Sequence, residues 1–518
     1  MSKFYITTPI YYVNDVAHIG HAYTTIAADT LARYHRAVGD EVFFLTGTDE
    51  HGAKIAEAAR SSGKTAKEYA DLISAEFQAE WQRLGISNDY FIRTTDPRHG
   101  QAVQHFLQKL YDRGKIYKAK YEGRYCVGCE KFVTDEDLIG GVCPDHLVAP
   151  TWHVEENYFF RLSEYQEPLI KALLDADDPN HYQVDPPARR NEVLGKLRVG
   201  LTDISISRAA LTWGIPLPFD PSQTTYVWVD ALLNYITAIG YADNPQEFAR
   251  LWPADLQLMA KDILWFHAII WPAMLLAAGE ALPRRIFAHG FFTVEGQKMS
   301  KTLGNVIRPR ELVEKFGIDA TRYLLLSEFP FGTDGDISIA SMVDRYNADL
   351  ANDLGNLVNR TISMINRYFG GEVPTPVGIE PAPEHPEDTD LVATAQGLNH
   401  RVAEAFDALA FSDGFAAIWG LIGRANRYVE VTAPWTLAKT DRARLGTVLY
   451  YLAEAIRLTA QALWPIMPDA AGKIAAALGT QLLIGRDVER AYGWGTLTPG
   501  TRVAAKPEIL FPKIETRK

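Results

Sequence analysis

Residues 3–52 place the tightest limit on what this chain can fold into. Phe4 to Ile10 is rich in β-formers and closes on Pro9-Ile10. A helical stretch opens at His18-Ile19-Gly20-His21 and runs to about Val38, with Ile26, Leu31 and Tyr34 as its apolar points. Glu41-Val42-Phe43-Phe44-Leu45 then runs apolar into Thr46-Gly47-Thr48-Asp49. A short apolar run between turn signals reads as a buried parallel strand. Strand, helix and strand at this spacing predict a βαβ unit, and with it a Rossmann-like, doubly wound parallel α/β sheet. Ligands bind such sheets beyond the carboxyl ends of the strands, where Tyr12, His18 and Asp49 fall.

The rest of the chain divides by texture. The first half of the sheet domain is expected over 1–112, with 52–112 mainly helical. Short strands and glycines over 113–224 read as an insertion. Thr225-Tyr226-Val227-Trp228-Val229 resumes strand character and opens the second half, 225–295, in which Phe287 to Val294 is a further strand. Glu295-Gly296 reads as a hairpin turn into a lysine loop, within a segment spanning 296–345. From 346 to 518 Leu350, Leu354, Leu357, Ile362 and Ile365 recur at helical spacing, predicting an all-α bundle with a loop-like tail after Gly493. A chain of 518 residues has room for these units. No apolar run reaches the roughly 18 residues of a membrane span and no secretory signal is visible, so a cytoplasmic location is expected. A net charge of −12 argues against nucleic-acid binding over the whole surface, though not against a local basic track.

Three motifs carry chemistry. His18 and His21, three apart, share a helical face at a helix N-terminus, where free backbone N–H groups already favour anions. Gly20 between them permits close approach to the backbone. Lys298 and Lys301 bracket Met299-Ser300, between Gly296 and Gly304. Two cations on a glycine-flanked loop suit closure over a pyrophosphate leaving group. Each pair alone also describes an ordinary surface histidine pair or a lysine-rich turn. Together, in this order and on these elements, they point to a site that handles ATP at its phosphates and makes an adenylate. The three cysteines, Cys126, Cys129 and Cys143, lie in one short window with His146. Two ligand pairs, each with two intervening residues, form a zinc-knuckle pattern. Three thiolates and an imidazole close the tetrahedron, so a single structural Zn²⁺ is expected.

These motifs, with Thr46-Gly-Thr-Asp-Glu-His-Gly52, Tyr226-Val-Trp-Val-Asp-Ala231 and Lys261-Asp262, resemble the class I aminoacyl-tRNA synthetases, and among them the methionyl-tRNA synthetase family. The resemblance runs from about residue 3 to the end of the helical region. It implies that ATP, with its Mg²⁺, activates L-methionine and that the methionyl group passes to the terminal ribose of tRNA(Met), initiator and elongator alike. His18, Gly20, His21, Asp262, Lys298 and Lys301 match the ATP positions, with the two histidines and two lysines catalytic. Pro9, Ile10, Tyr12, Asp49, Trp228, Ala231, Tyr235 and His267 match the methionine pocket. Asn356, Arg360 and Trp435 match the anticodon readers of an α-helical anticodon-binding domain. Two departures stand out: Ala260 replaces the family glycine before Lys261-Asp262, and Thr302 replaces serine at the end of the lysine motif.

Leucyl, isoleucyl and valyl relatives carry a larger editing insertion than about 110 residues allow, and the cysteinyl enzyme holds its substrate with zinc. A silent tRNA-binding paralogue need not keep both lysines and both histidines. A small-metabolite nucleotidyltransferase leaves the helical region without a purpose. With no appended tRNA-binding module visible, a monomer is expected.

Overall fold

The computed structural model describes residues 2–515 except 127–130, 134, 136–137, 145–146, 210, 300–304 and 486. Strand β1 (Lys3–Tyr12), helix α1 (Ile19–Ala37) and strand β2 (Glu41–Asp49) form the expected βαβ unit, with β1 and β2 parallel. Strand β3 (Tyr90–Arg93) pairs with β2. Strands β4 (Gln183–Asp185), β5 (Leu256–Ala260) and β6 (Arg285–His289) complete a six-stranded sheet in the order β3-β2-β1-β5-β6-β4, parallel throughout. The strand order reverses between β1 and β5, which opens a crevice at their carboxyl ends.

Both faces of the sheet are covered. Ile6 and Phe44 pack into one core with α1 and the 66–83 helix, while Tyr5 and Leu45 pack into the other with Phe106 and Leu107. Alternate residues of each strand thus feed opposite layers, and this is why the strands read as continuous apolar runs rather than alternating ones.

Three segments differ from the sequence reading. Tyr226 to Val229 is not a strand: after the short pair at Thr224–Thr225 the chain turns into helix α2 (Val227–Leu232), continued by Asn234–Thr237. Nearly every residue there is buried, so β-propensity yields to tertiary contacts. Helical spacing puts Trp228, Ala231 and Tyr235 on one side and Asp230 on the other. Second, the region read as one insertion over 113–224 re-enters the main sheet at β4. Its own core is an antiparallel sheet in which Ile116–Cys126 pairs with Thr151–Phe160. Third, Phe287 to Val294 is two strands, β6 and Phe292–Val294, split at Gly290. A Cβ at Gly290 would lie 2.3 Å from the Thr333 carbonyl oxygen. Glu295 and Gly296, at φ of 52° and 76°, form the expected hairpin turn into Gln297–Lys298.

Helix α3 (Ile318–Ser327) leads into the helical region. A π-helical stretch (Tyr346–Gly355) precedes α4 (Asn356–Phe369). Helices α5 (Phe411–Thr432), α6 (Pro434–Thr440), α7 (Arg442–Leu463) and α8 (Pro468–Ala477) follow. Helix α7 is the axis of this bundle, buried from Leu445 through Leu463. The bundle core is continuous with the α1 face of the sheet. Phe511 of the tail docks edge-on to Tyr346. Among the described residues no helix is long and apolar enough to cross a membrane.

Candidate active site

The first turn of α1 is capped by its own histidines. His18 is extended (φ −124°, ψ 172°), and its Nδ1 accepts the Gly20 N–H at 3.0 Å, while Nδ1 of His21 accepts the His18 N–H at 3.3 Å. The two rings stack with centroids 3.8 Å apart. Both Nδ1 atoms are used as acceptors, so in the neutral rings the proton sits on Nε2. Burial pushes the His18 imidazole below its ordinary value, against an opposing pull from Asp15. Burial, and then the neighbouring His18, hold His21 well below. Two neutral imidazoles therefore present Nε2–H donors at a helix N-terminus. Gly20 has a second function here: a Cβ at that position would lie 2.8 Å from Cε1 of the His18 ring.

The expected pocket residues sit on β1 (Pro9, Ile10, Tyr12), β2 (Asp49), α2 (Trp228, Ala231), its continuation Asn234–Thr237 (Tyr235) and the π-helical stretch Phe266–Ile270 (His267). Pro9 and Ile10 lie at an irregularity in β1 pairing, and Tyr12 stands opposite the buried Asp49 at the end of β2. Trp228 stacks on Phe266 at 3.9 Å between centroids, nearly parallel. Ala231 is buried beside it. The Tyr235 hydroxyl lies 2.7 Å from Nε2 of His267, whose Nδ1 lies 3.0 Å from the Ile263 carbonyl oxygen. A neutral imidazole between these partners donates from Nδ1 and accepts the tyrosine proton at Nε2. Burial pushes His267 down to about 4, which keeps it neutral.

Two buried carboxylates behind this pocket stand within the sequence motifs but carried no role there. Asp230, fully buried on the far side of α2, accepts from Nδ1 of His51 and Nε2 of His99, each at 2.7 Å. Burial pushes its carboxyl upward, but the two histidines outweigh this and hold it below the ordinary value. Glu50, also fully buried, accepts both Nε and a terminal nitrogen of Arg93 at 2.7 and 2.9 Å, with Thr48 at 2.7 Å. These pairs fix the β2 end and α2, hence Asp49, Trp228 and Ala231. For Asp230 the available signal was an acidic residue inside the otherwise apolar run Val227–Leu232; Glu50, in the polar run Thr46–Gly52, offered none.

Asp262 is exposed on the turn Lys261–Ile263 that follows β5. Lys261 itself pairs with Asp334 at 2.6 Å. Thr24 of α1 lies 2.6 Å from Nε2 of the buried His289, which ties α1 to the end of β6. Lys298 belongs to the hairpin strand Gln297–Lys298, whereas Lys301 and Thr302 lie outside the described residues. Both flanks of the lysine loop reach α1: Met299 lies 3.9 Å from a Cβ built at Gly20, and the Ile307 carbonyl accepts the Ile19 N–H at 3.1 Å.

Elsewhere, Asn356 and Arg360 are exposed on the first turns of α4. Ala433, at φ 43°, breaks α5 from α6 and leaves Trp435 48% exposed. Helices α4 and α6 both pack on α7. Cys126 and Cys143 are buried in a small cluster with Val133 and are not joined in a disulfide. Cys129 and His146 lie outside the described residues, and no group of three metal ligands occurs among those described.

Comparison with known proteins places this geometry. The family model for class I tRNA synthetases (M) matches residues 4–149 and 147–362, and that for the anticodon-binding domain of methionyl tRNA ligase matches 380–518. The methionine–tRNA ligase of Caldanaerobacter subterraneus is 48% identical over 99% of this chain and 79% of its own length. That of Streptomyces coelicolor is 45% identical over 99% and 97%. The structure of Mycobacterium tuberculosis methionyl-tRNA synthetase in complex with methionyl-adenylate is 43% identical, covers 99% of this chain and 100% of its own, and superposes with a TM-score of 0.93. With both regions matched and relatives aligned end to end, the chain belongs to the methionyl-tRNA synthetase family of class I ligases.

Proposed function

We propose that this methionine–tRNA ligase runs both half-reactions at the carboxyl end of β1, with the residues named above in defined roles. Asp49 receives the ammonium of L-methionine. Pro9, Ile10, Tyr12, Trp228, Ala231, Tyr235 and His267 enclose its side chain, where aromatic faces suit a thioether. The carboxylate oxygen attacks the α-phosphorus of ATP, the bond to the β-phosphate oxygen breaks, and pyrophosphate leaves. Nε2–H of His18 and of His21 donate to phosphate oxygens as charge builds, beside the α1 N-terminus. Lys298 and Lys301 neutralise the leaving pyrophosphate, and Asp262 holds the ribose. Mg²⁺ arrives with ATP and offsets triphosphate charge. In the second step the 2′-OH of the terminal tRNA ribose attacks the acyl carbon and AMP departs.

The observation that carries this reading is the use of both Nδ1 atoms as helix-cap acceptors, which sets two neutral Nε2–H donors at one helix end. The test is ATP–pyrophosphate exchange with each of the twenty amino acids. Exchange with methionine alone, abolished in Lys301→Ala, is expected. Exchange with leucine or cysteine would reject the pocket assignment.

The helical region is proposed to read the tRNA(Met) anticodon through Asn356, Arg360 and Trp435. One structural zinc, held by Cys126, Cys129, Cys143 and His146, is proposed to shape the insertion. Two buried thiols in a cluster this small support it, because a core of a few residues needs a staple. Metal analysis should give one zinc per chain and none in Cys126→Ser. The chain is further proposed to act as a cytoplasmic monomer; a stable dimer in light scattering at micromolar concentration would reject the second part.

A further inference from the structure

Helix α3 offers opposite charges to two helix ends that meet at one corner of the bundle. Asp319, in its first turn, accepts the Ala470 N–H at 2.6 Å, near the N-terminus of α8. Arg322, three residues on, donates Nε to the Ile466 carbonyl at 2.7 Å and a terminal nitrogen to the Pro465 carbonyl at 3.1 Å, just beyond the C-terminus of α7. A carboxylate at a helix N-terminus and a guanidinium at a C-terminus both match the helix dipole.

The same guanidinium turns to the catalytic layer. It reaches Asp29 of α1 at 2.7 Å, with both side chains fully buried, and the Leu84 carbonyl at 3.3 Å. Asp29 is held in turn by Arg33 at 2.8 Å and by the Ser87 N–H and hydroxyl at 2.6 Å. Asp29 lies about two turns along α1 from His21. At the other end of the connection, the 22 residues of α7 span about 33 Å from the Pro465–Ile466 corner to α6, which bears Trp435. Neither half-reaction needs a buried cation at position 322. A charge this deep is tolerable only when several bonds hold it in one geometry, so a shift of the corner would break bonds to both layers at once.

We infer that Arg322 is a positioning residue through which engagement of RNA on the helical region sets the placement of His18 and His21. The inference rests on the proposed tRNA-charging function. Energetic coupling, rather than spatial intermediacy, is what has to be measured.

The experiment uses the full chain and two variants: the double replacement Asp29→Asn with Arg322→Met, which removes both charges together, and Arg322→Lys. For each, aminoacylation kcat and KM are measured with tRNA(Met) and with an acceptor-stem minihelix lacking the anticodon, beside methionine-dependent pyrophosphate exchange. The double variant is expected to lose at least tenfold in kcat with tRNA, approaching the minihelix value. Its KM for tRNA should stay within about twofold and its exchange within about threefold. Arg322→Lys keeps a charge for Asp29 but lacks the planar fork, and should fall between. An unchanged tRNA-to-minihelix kcat ratio in both variants overturns the inference. So does exchange that falls in step with aminoacylation, because that marks a purely structural residue. Absence of methionine-dependent exchange in the parent rejects instead the function on which the inference rests.

Discussion

Gly20→Ala separates position from stability at the histidine pair. Gly20 lies inside α1 with ordinary helical backbone, so alanine is conformationally welcome and favours the helix by up to about 1 kcal/mol. Its Cβ, however, would lie 2.8 Å from Cε1 and 3.0 Å from Nδ1 of His18. Ordinary contact begins near 3.4 Å, so the ring must retreat by about 0.6 Å. The Gly20 N–H to Nδ1 bond then lengthens or breaks, at a cost of about 0.5–1.5 kcal/mol. The two effects nearly cancel in stability. In catalysis they do not: a displacement approaching 1 Å costs on the order of 10²-fold, and loss of one preorganised donor about 10²–10³-fold. Pyrophosphate exchange at saturating methionine and ATP should therefore fall about 100-fold, while the thermal transition shifts by only a few degrees. Exchange within threefold of the parent would refute the claim that the His18 ring must lie over Gly20. A collapse of stability alongside activity would refute it equally, because the loss would then be one of fold.

Three further outcomes are expected. Asp230→Asn takes the anionic acceptor from both buried imidazole N–H groups and sets an amide NH2 donor against one of them; denaturant unfolding should show a loss of about 2–4 kcal/mol, with KM for methionine raised at least tenfold as α2 loosens. Burial pushes His267 and His289 down to about 4, so their stabilising contribution, about 3 kcal/mol apiece, is complete above the unfolded value near 6.5 and is lost as pH falls toward 4. Burial pushes Asp319 up to about 6, and this opposes the trend by adding stability as pH falls below 6. Urea unfolding at pH 7.5, 5.5 and 4.5 should thus weaken with acid, and less steeply in His267→Gln; equal slopes would sink the assignment. Trp435→Ala removes an exposed indole. If it stacks on a base, worth about 1–3 kcal/mol, tRNA(Met) affinity should fall roughly 5–150-fold with pyrophosphate exchange untouched.

The sequence alone determined what depends on local period and spacing. The βαβ start, the α1 boundaries, the hairpin at Glu295-Gly296 and the helical region follow from neighbours along the chain, and the structure bears them out. The family was legible for the same reason, because its motifs are short runs. Tertiary structure decided whatever depends on partners distant in sequence. Val227–Leu232 is helical despite its β-formers, nearly every residue buried, with Asp230 bonded to His51 and His99, residues 179 and 131 positions away. Gln183–Asp185 looked like part of an insertion because three residues carry too little pattern to announce an edge strand; only pairing with Arg285–Phe287 places it in the sheet. No role for Glu50, Arg93, Asp230 or Arg322 was assigned from the sequence. Burial, and the bonds that repay it, turned them into the frame behind the site.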